Sequence, residues 1–142
     1  MSVDRQSRRQ FLAALPLGAT AFLIGAKPLR ALTPRLGRTF EHPEPRSGID
    51  ASKVLTLDQL GNPAASPIYD MIREIPETAD GIRCYCGCAD IPGYYSLLTC
   101  YEEGGMAQWC EMCQDQVRLV YRRHMEGQTL GQIRSATDAR FG

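Results

Sequence analysis

Every cysteine of the 142-residue chain lies in residues 84–113, CYCGCADIPGYYSLLTCYEEGGMAQWCEMC. The thiols form an alternating triplet, a single residue and a closing pair: Cys84, Cys86, Cys88, Cys100, Cys110 and Cys113. Local chain geometry therefore brings the six sulfur atoms within reach of one another. Clustered thiols bond either to a metal or to one another, which makes this cluster the candidate functional site.

The spacing within the cluster indicates how the thiols converge. Alternate residues of an extended segment point the same way, so the triplet would present its three thiols on one side. Gly87 lets the chain curl until those sulfur atoms meet. Cys110 and Cys113 lie one turn apart at the start of a predicted helix, where free N–H groups and the helix dipole favour a thiolate.

Two short-spaced groups of cysteines joined by a loop are typical of a four-thiolate tetrahedral zinc site. Six thiols exceed the need of one zinc ion, so a two-zinc cluster, a multinuclear Cu(I) cluster and an iron–sulfur centre stay open. We take all six cysteines as candidate ligands and expect zinc or Cu(I), with an iron–sulfur cluster as the further possibility. The expected role is storage, delivery or electron transfer, and the sequence favours a protein that is not an enzyme.

The same cysteines are also compatible with two other hypotheses about function. The first is an interaction domain stapled by disulfides, although pairing inside the alternating triplet is strained because cystine geometry requires particular Cα separations. The second is a thiol–disulfide oxidoreductase or reductant carrier that acts through Cys110 and Cys113. No Ser/His/Asp set, phosphate-binding glycine loop or paired-carboxylate pattern supports a hydrolase or a nucleotide-binding protein.

The first residues have the three-part layout of an export signal: polar and basic at 1–10, apolar at 11–26 and charged again at 27–30. Within it, Ser7-Arg8-Arg9-Gln10-Phe11-Leu12 is similar to a twin-arginine signal. The resemblance implies the twin-arginine export machinery as a partner, and a bacterial periplasmic or cell-envelope location. It also implies a cofactor inserted before export. Membrane contact is expected only through the signal helix, if it stays uncleaved.

Charge divides the chain at the same place. Residues 1–31 carry a net charge of +4, and the remainder carries −4. A mildly acidic domain without a basic run argues against nucleic acid as a partner. A protein partner is expected, and its identity is open.

Three segments follow from these patterns: a signal peptide at 1–31, a Pro-rich extended linker at 32–65 and a cysteine-rich helical domain at 66–142. The first helix of the domain begins at Ser66 with Pro67 at its first position and stops at Pro76. Its apolar face consists of Ile68, Met71, Ile72 and Ile75. A domain of this size usually needs a metal or disulfides to hold its core.

The end of the chain predicts an αα-hairpin. Apolar residues recur at spacings of three and four from about Met106 to Glu126, and Gly127 supplies the C-terminal stop. Thr129 and Gln132 form a capping box that opens the last helix. The predicted fold is mainly α: a small cysteine-rich helical domain with a C-terminal αα-hairpin, preceded by an extended linker and a signal helix.

Residues 66–142 resemble the bacterial family of exported proteins named for a Pro-Cys-Tyr-Cys-Gly-Cys motif. The resemblance is carried by Ile75-Pro76-Glu77, the Cys84–Cys88 motif itself, Ser96–Cys100, the Cys110/Cys113 pair and Ile133-Arg134. The family has no settled activity, so the resemblance implies a fold and an exported location. Arg83 replaces the proline of the motif, and Tyr94-Tyr95 stands where members often have a histidine.

A second resemblance covers residues 110–142. Cys110–Gln114 and Gly127–Arg134 are similar to the thiol proteins of cytochrome c maturation, which implies a reductant carrier. That family does not need the upstream triplet.

The two histidines and the aromatic residues near the cysteines have expected roles outside the ligand set. In a straight helix His124 lies about 16 Å from Cys113, so we expect it to pack in the hairpin. The sequence identifies no partner for His42. Five aromatic side chains are expected to shield the cluster from water: Tyr85, Tyr94, Tyr95, Tyr101 and Trp109.

Overall fold

A computed structural model describes residues 41–142, so the predicted signal and the first part of the predicted linker lie outside the described residues. This part contains four α-helices: α1 (Ser66–Glu74), α2 (Pro76–Asp80), α3 (Glu111–Met125) and α4 (Leu130–Phe141). Short 3₁₀ turns connect them, and residues 41–142 contain no β-strand beyond an isolated bridge between Val54 and Glu102. The predicted mainly helical class is confirmed. None of the described helices is long and apolar enough to cross a membrane.

Helix α3 is the centre of the fold, because it packs against both α1 and α4. Its Val117 and Val120 are fully buried, and Ile133 of α4 is only 1% exposed. Tyr69 of α1 meets Tyr101 edge to face, with ring centroids 4.9 Å apart. Burial of these side chains supplies the main stabilisation of the domain.

The first helix follows the predicted pattern. Ile68, Ile72 and Ile75 are buried, and Met71 packs against the same core. The helix ends at Glu74, and Pro76 then occupies the first position of α2. Proline has no N–H to donate and a fixed φ, which suits the first turn of a new helix as well as the end of an old one.

Helix α3 begins later than predicted. The sequence indicates a start near Met106, but residues Ala107–Trp109 form a 3₁₀ turn and Cys110 is extended, with φ −106° and ψ 105°. The Gln114 side-chain amide donates hydrogen bonds to the carbonyls of Ala107 (3.1 Å) and Gln108 (3.3 Å). These bonds satisfy groups that a longer helix would have used.

The predicted C-terminal hairpin is confirmed. Gly127 adopts φ +74° after α3, a left-handed conformation that ends helices and favours glycine. Thr129 and Gln132 form the predicted capping box at the start of α4. Thr137 is fully buried on the inner face of α4, and its hydroxyl donates to the Ile133 carbonyl at 3.1 Å.

Residues 41–65, which the sequence assigns to the linker, lie against the helical domain. Val54 and Leu60 are buried, and Ile49, Ala51 and Leu55 pack against the core. Arg46 donates hydrogen bonds from its backbone N–H and its guanidinium to the carboxylate of Asp80, at the end of α2. This part of the predicted linker therefore contributes to the core.

Candidate metal centre

Four cysteine sulfur atoms converge at one point: those of Cys84, Cys86, Cys100 and Cys113 all lie within 4.8 Å of one another. The Sγ atom of Cys84 is 3.1 Å from that of Cys86 and 3.7 Å from that of Cys113. The Sγ atoms of Cys86 and Cys113 are 3.4 Å apart. Cys86 is partly exposed and the other three are buried, so the group could hold a metal ion with limited access to water.

Three parts of the chain supply these thiols. Cys84 and Cys86 lie in the segment after α2, Cys100 lies in the 3₁₀ turn Leu98–Tyr101, and Cys113 is the third residue of α3. The first turn of a helix has unpaired N–H groups and the positive end of the dipole. A metal-bound thiolate at Cys113 would be stabilised by these N–H groups and by the dipole.

The remaining two predicted ligands lie outside this group of four. The Cys88 Sγ atom is 3.1 Å from that of Cys86 and is buried. Cys110 is partly exposed and precedes α3 as its N-cap residue, and its sulfur forms no hydrogen bond to another described cysteine. All six cysteines are free thiols, so no disulfide cross-links the described residues.

Gly87 shapes the loop that carries the triplet. Its φ of +92° is a left-handed conformation that glycine adopts without the steric cost of a side chain. The chain then enters the 3₁₀ turn Cys88–Asp90. An ion pair of 2.7 Å between Arg83 and Asp90 joins the two ends of the loop.

Gln116 fixes the segment around Cys84 from the α3 side. Its amide nitrogen donates to the Arg83 carbonyl at 3.1 Å, and its Oε1 accepts from the Tyr85 N–H at 3.0 Å. The same oxygen lies 3.7 Å from the Cys84 sulfur, and the Gln116 side chain is fully buried. Because Gln116 follows Cys113 by three residues, both project from one face of the helix.

A second set of contacts holds the same segment from outside. The His42 ring accepts a hydrogen bond from the Arg83 N–H at Nδ1 (3.1 Å) and donates from Nε2 to Asp138 of α4 (2.8 Å). The Tyr85 hydroxyl also donates to the Asp138 carboxylate. The backbone on both sides of Cys84 is therefore held by α3, by α4 and by the segment that precedes α1.

The other two ligand-bearing elements are also fixed by close contacts. The buried Tyr101 hydroxyl donates to the Cys113 carbonyl at 2.8 Å. A Cβ atom placed on Gly105 would lie 2.2 Å from the Cys100 carbonyl oxygen, so only glycine allows the chain to approach so closely. These contacts fix the backbone that carries Cys100 and Cys113.

Hydrogen bonds among the thiols shift their pKa values in opposite directions. Hydrogen bonds with Cys100, Cys113 and Cys84 lower the pKa of Cys86. Hydrogen bonds with Cys100, Cys84 and Cys86 raise the pKa of Cys113. The contacts within the group therefore favour negative charge on Cys86 over Cys113.

The residues predicted to surround the cluster differ in how far they are exposed to solvent. Tyr101 is fully buried, but Trp109 is 67% exposed and Tyr95 is 44% exposed, so these two do not exclude water from the cluster. His124 bonds the Thr78 hydroxyl of α2 through Nδ1 at 2.9 Å. This partner lies in α2 and not in the C-terminal hairpin, where His124 was expected to pack.

Three residues of the site were not identified from the sequence: Gln116, His42 as a partner of Asp138, and Asp138 itself. The spacing of three between Cys113 and Gln116 is a signal that could have placed Gln116 on the cysteine face. His42 and Asp138 are separated by 96 positions, and no local pattern relates them.

The arrangement thus offers four soft sulfur donors, held by a network of hydrogen bonds and suited to a cation that prefers thiolate. Comparisons with protein-family models, with curated proteins and with solved structures find no match for this chain.

Proposed function

We propose that the protein binds a soft metal ion through Cys84, Cys86, Cys100 and Cys113 and serves in metal storage or delivery. The observation that supports this proposal is the convergence of the four sulfur atoms within 4.8 Å of one another. Four thiolates brought this close together would repel one another, and a bound soft cation would neutralise their negative charge.

The spacing of the sulfur atoms suits a single tetrahedral ion. A zinc–sulfur bond of about 2.3 Å places the sulfur atoms of a tetrahedral site about 3.8 Å apart. The three sulfur–sulfur distances given above, 3.1, 3.4 and 3.7 Å, lie below this value. Binding would require the closest pair, Cys84 and Cys86, to move apart by about 0.7 Å and the other two pairs by less.

The same spacing favours certain metals. Thiolate ligands select zinc and Cu(I) among the common soft ions. An iron–sulfur cluster interposes several irons and sulfides between its cysteine ligands, which requires more separation than a limit of 4.8 Å allows. We therefore propose zinc or Cu(I) as the resident ion.

The ligand set also bears on the class of function. Four protein ligands leave no open coordination position, which is typical of structural and carrier sites and not of catalytic zinc. Cys86 is the only partly exposed member of the group, and it would be the point at which a partner's ligand could exchange with the bound ion.

The alternative of a redox pair finds less support. A disulfide between Cys110 and Cys113 forms only when their sulfur atoms meet, but the Cys113 thiol is within hydrogen-bonding distance of the thiols of Cys84 and Cys86 instead.

We further propose that the chain belongs to the exported Pro-Cys-Tyr-Cys-Gly-Cys family and is exported by the twin-arginine route. Metal loading before export would protect the thiols from an oxidising compartment.

Metal content measured by elemental analysis and native mass spectrometry tests the proposal. The chain purified under reducing conditions with zinc should retain one zinc ion, and Cys113→Ser should retain none at the same free zinc concentration. Cys110→Ser is the matched control, because Cys110 lies outside the group of four, and it should still hold one ion. Folded wild-type protein that retains no zinc or Cu(I) would contradict the proposal.

A further inference from the structure

Cys88 is a fifth sulfur at the edge of the four-thiol group. Its Sγ atom lies 3.1 Å from that of Cys86, although Cys88 is not among the four thiols that all lie within 4.8 Å of one another. Its exposed fraction is 1%. One tetrahedral ion does not use this thiol, so its burial beside the group requires another explanation.

We propose that Cys86 and Cys88 form a second soft-metal site that shares Cys86 with the first, so that the five thiols hold two Cu(I) ions. The inference rests on the proposed function, because it adds a site to the same group of thiols. Cys86 is the natural bridging ligand, since its sulfur lies within 3.4 Å of those of Cys84, Cys88 and Cys113.

The number of ligands separates Cu(I) from zinc at this second site. Structural zinc sites in proteins almost always have four ligands, and this pair supplies only two. Cu(I) is a soft ion that thiolates select, and it accepts two sulfur ligands and bridging thiolates. The five-thiol group should therefore hold one zinc ion or two Cu(I) ions.

The loop geometry supports this use of Cys88. Gly87 turns the chain in a left-handed conformation with φ +92°, and the turn brings the thiols of its two neighbours together. The Sγ atoms of Cys86 and Cys88 therefore face each other at 3.1 Å.

Anaerobic titration with Cu(I), in competition with a chromophoric Cu(I) chelator, tests the inference on the 142-residue chain. The wild-type chain should bind two Cu(I) ions, Cys88→Ser one, and the matched control Cys110→Ser two. Zinc should bind in a ratio of one to all three proteins. A Cys88→Ser protein that still binds two Cu(I) ions, or a wild-type chain that binds only one, would overturn the inference.

Two further outcomes separate this inference from the proposed function. If the wild-type chain binds neither zinc nor Cu(I), the proposed function fails, and the second site fails with it. If Cys88→Ser does not fold, X-ray absorption of the Cu(I)-loaded wild-type chain decides the question. A copper–copper scattering contribution supports a thiolate-bridged pair, and its absence overturns the inference.

Discussion

Gly87 controls the backbone at the residue scale, because its φ of +92° reverses the chain between Cys86 and Cys88. An L-residue in this left-handed conformation has its Cβ atom too close to the neighbouring carbonyl oxygen. The space around Gly87 is open, since a Cβ atom there would meet nothing within 4 Å. Any cost of a side chain at this position therefore comes from the backbone conformation alone.

We expect Gly87→Ala to reduce the free energy of unfolding by about 1–2 kcal/mol and to weaken metal binding by displacing Cys86. Denaturant unfolding and competitive metal titration measure the two effects. Gly131→Ala is the matched control, because Gly131 lies within α4, has an ordinary φ and also has open space around it. The control should stabilise the protein by about 0.5–1 kcal/mol; equal destabilisation by both variants would contradict this account of Gly87.

Gln116 is the positioning residue for Cys84, because its buried amide bonds the backbone on both sides of that cysteine. Removing a hydrogen bond that orients a metal-binding residue typically weakens metal binding by about 10–100-fold. We therefore expect Gln116→Leu to weaken zinc binding by about that factor. Competition with a zinc chelator, under conditions in which both metal-free proteins are folded, measures the change.

The control for Gln116 is Gln114→Leu in the same helix. It removes the two hydrogen bonds from the Gln114 amide to the carbonyls of Ala107 and Gln108, and neither of these residues is next to one of the four cysteines. Its zinc affinity should change by much less than that of Gln116→Leu. Gln116→Leu also leaves buried backbone groups without partners, which costs about 1–3 kcal/mol of unfolding free energy. If stability falls but the zinc affinity of the folded protein is unchanged, Gln116 is a structural residue and not a positioning one.

At the scale of elements, Asp80 joins three parts of the chain. It lies at the end of α2, is fully buried, and accepts hydrogen bonds from Arg46 and from the Ser96 hydroxyl at 2.7 Å. Burial alone would raise the pKa of Asp80, but the Arg46 guanidinium, the Arg46 N–H and Ser96 outweigh it and hold that pKa below its usual value. The carboxylate therefore contributes to stability in its charged form.

We expect acid to remove this contribution. Because the pKa of Asp80 is lower in the folded protein, its stabilisation is complete above the unfolded value of about 3.9 and is lost as the pH falls below it. Asp80→Asn should cost about 1–3 kcal/mol at pH 7 and much less near pH 2. Urea unfolding at several pH values measures the difference.

The matched control for Asp80 is Asp70→Asn, which removes a largely exposed ion pair with Arg73. Such pairs contribute at most about 1 kcal/mol, so its effect should be small at both pH values. A cost of Asp80→Asn that does not depend on pH would contradict the charged role of this carboxylate.

The helices could be predicted where local signals specify them. Thr129 and Gln132 define the start of α4, Gly127 ends α3, and the apolar spacing of α1 places its buried face. The start of α3 was predicted too early, because the periodicity continues through the 3₁₀ turn that precedes Cys110. The contact between Arg46 and Asp80 spans 34 positions, and such a pairing depends on tertiary packing that no local pattern encodes.

At the scale of the whole molecule, the candidate site connects elements that are far apart in sequence. Cys84 and Cys113 are separated by 29 positions, and their sulfur atoms lie 3.7 Å apart. A bound ion would cross-link the loop after α2, the 3₁₀ turn that contains Cys100 and the start of α3. Metal binding and folding would then be coupled, so that the metal adds to the stability of the domain.

The sequence predicts where the cysteines cluster, but not which four of them converge. All six cysteines have suitable spacing, and the separation of Cys110 from the others follows from its extended backbone before α3. Cys100 has no short-spaced partner in the sequence, yet the turn Leu98–Tyr101 brings it into the group of four. Membership therefore depends on side-chain directions, which spacing alone does not determine.

X-ray absorption at the zinc edge of the zinc-loaded chain tests the four-sulfur site directly, because it counts the ligands and measures their distances. The bound zinc should have four sulfur ligands at about 2.3 Å, unchanged in Cys110→Ser. Nitrogen or oxygen ligands in place of sulfur, fewer than four sulfur atoms, or the loss of one sulfur in Cys110→Ser would contradict it.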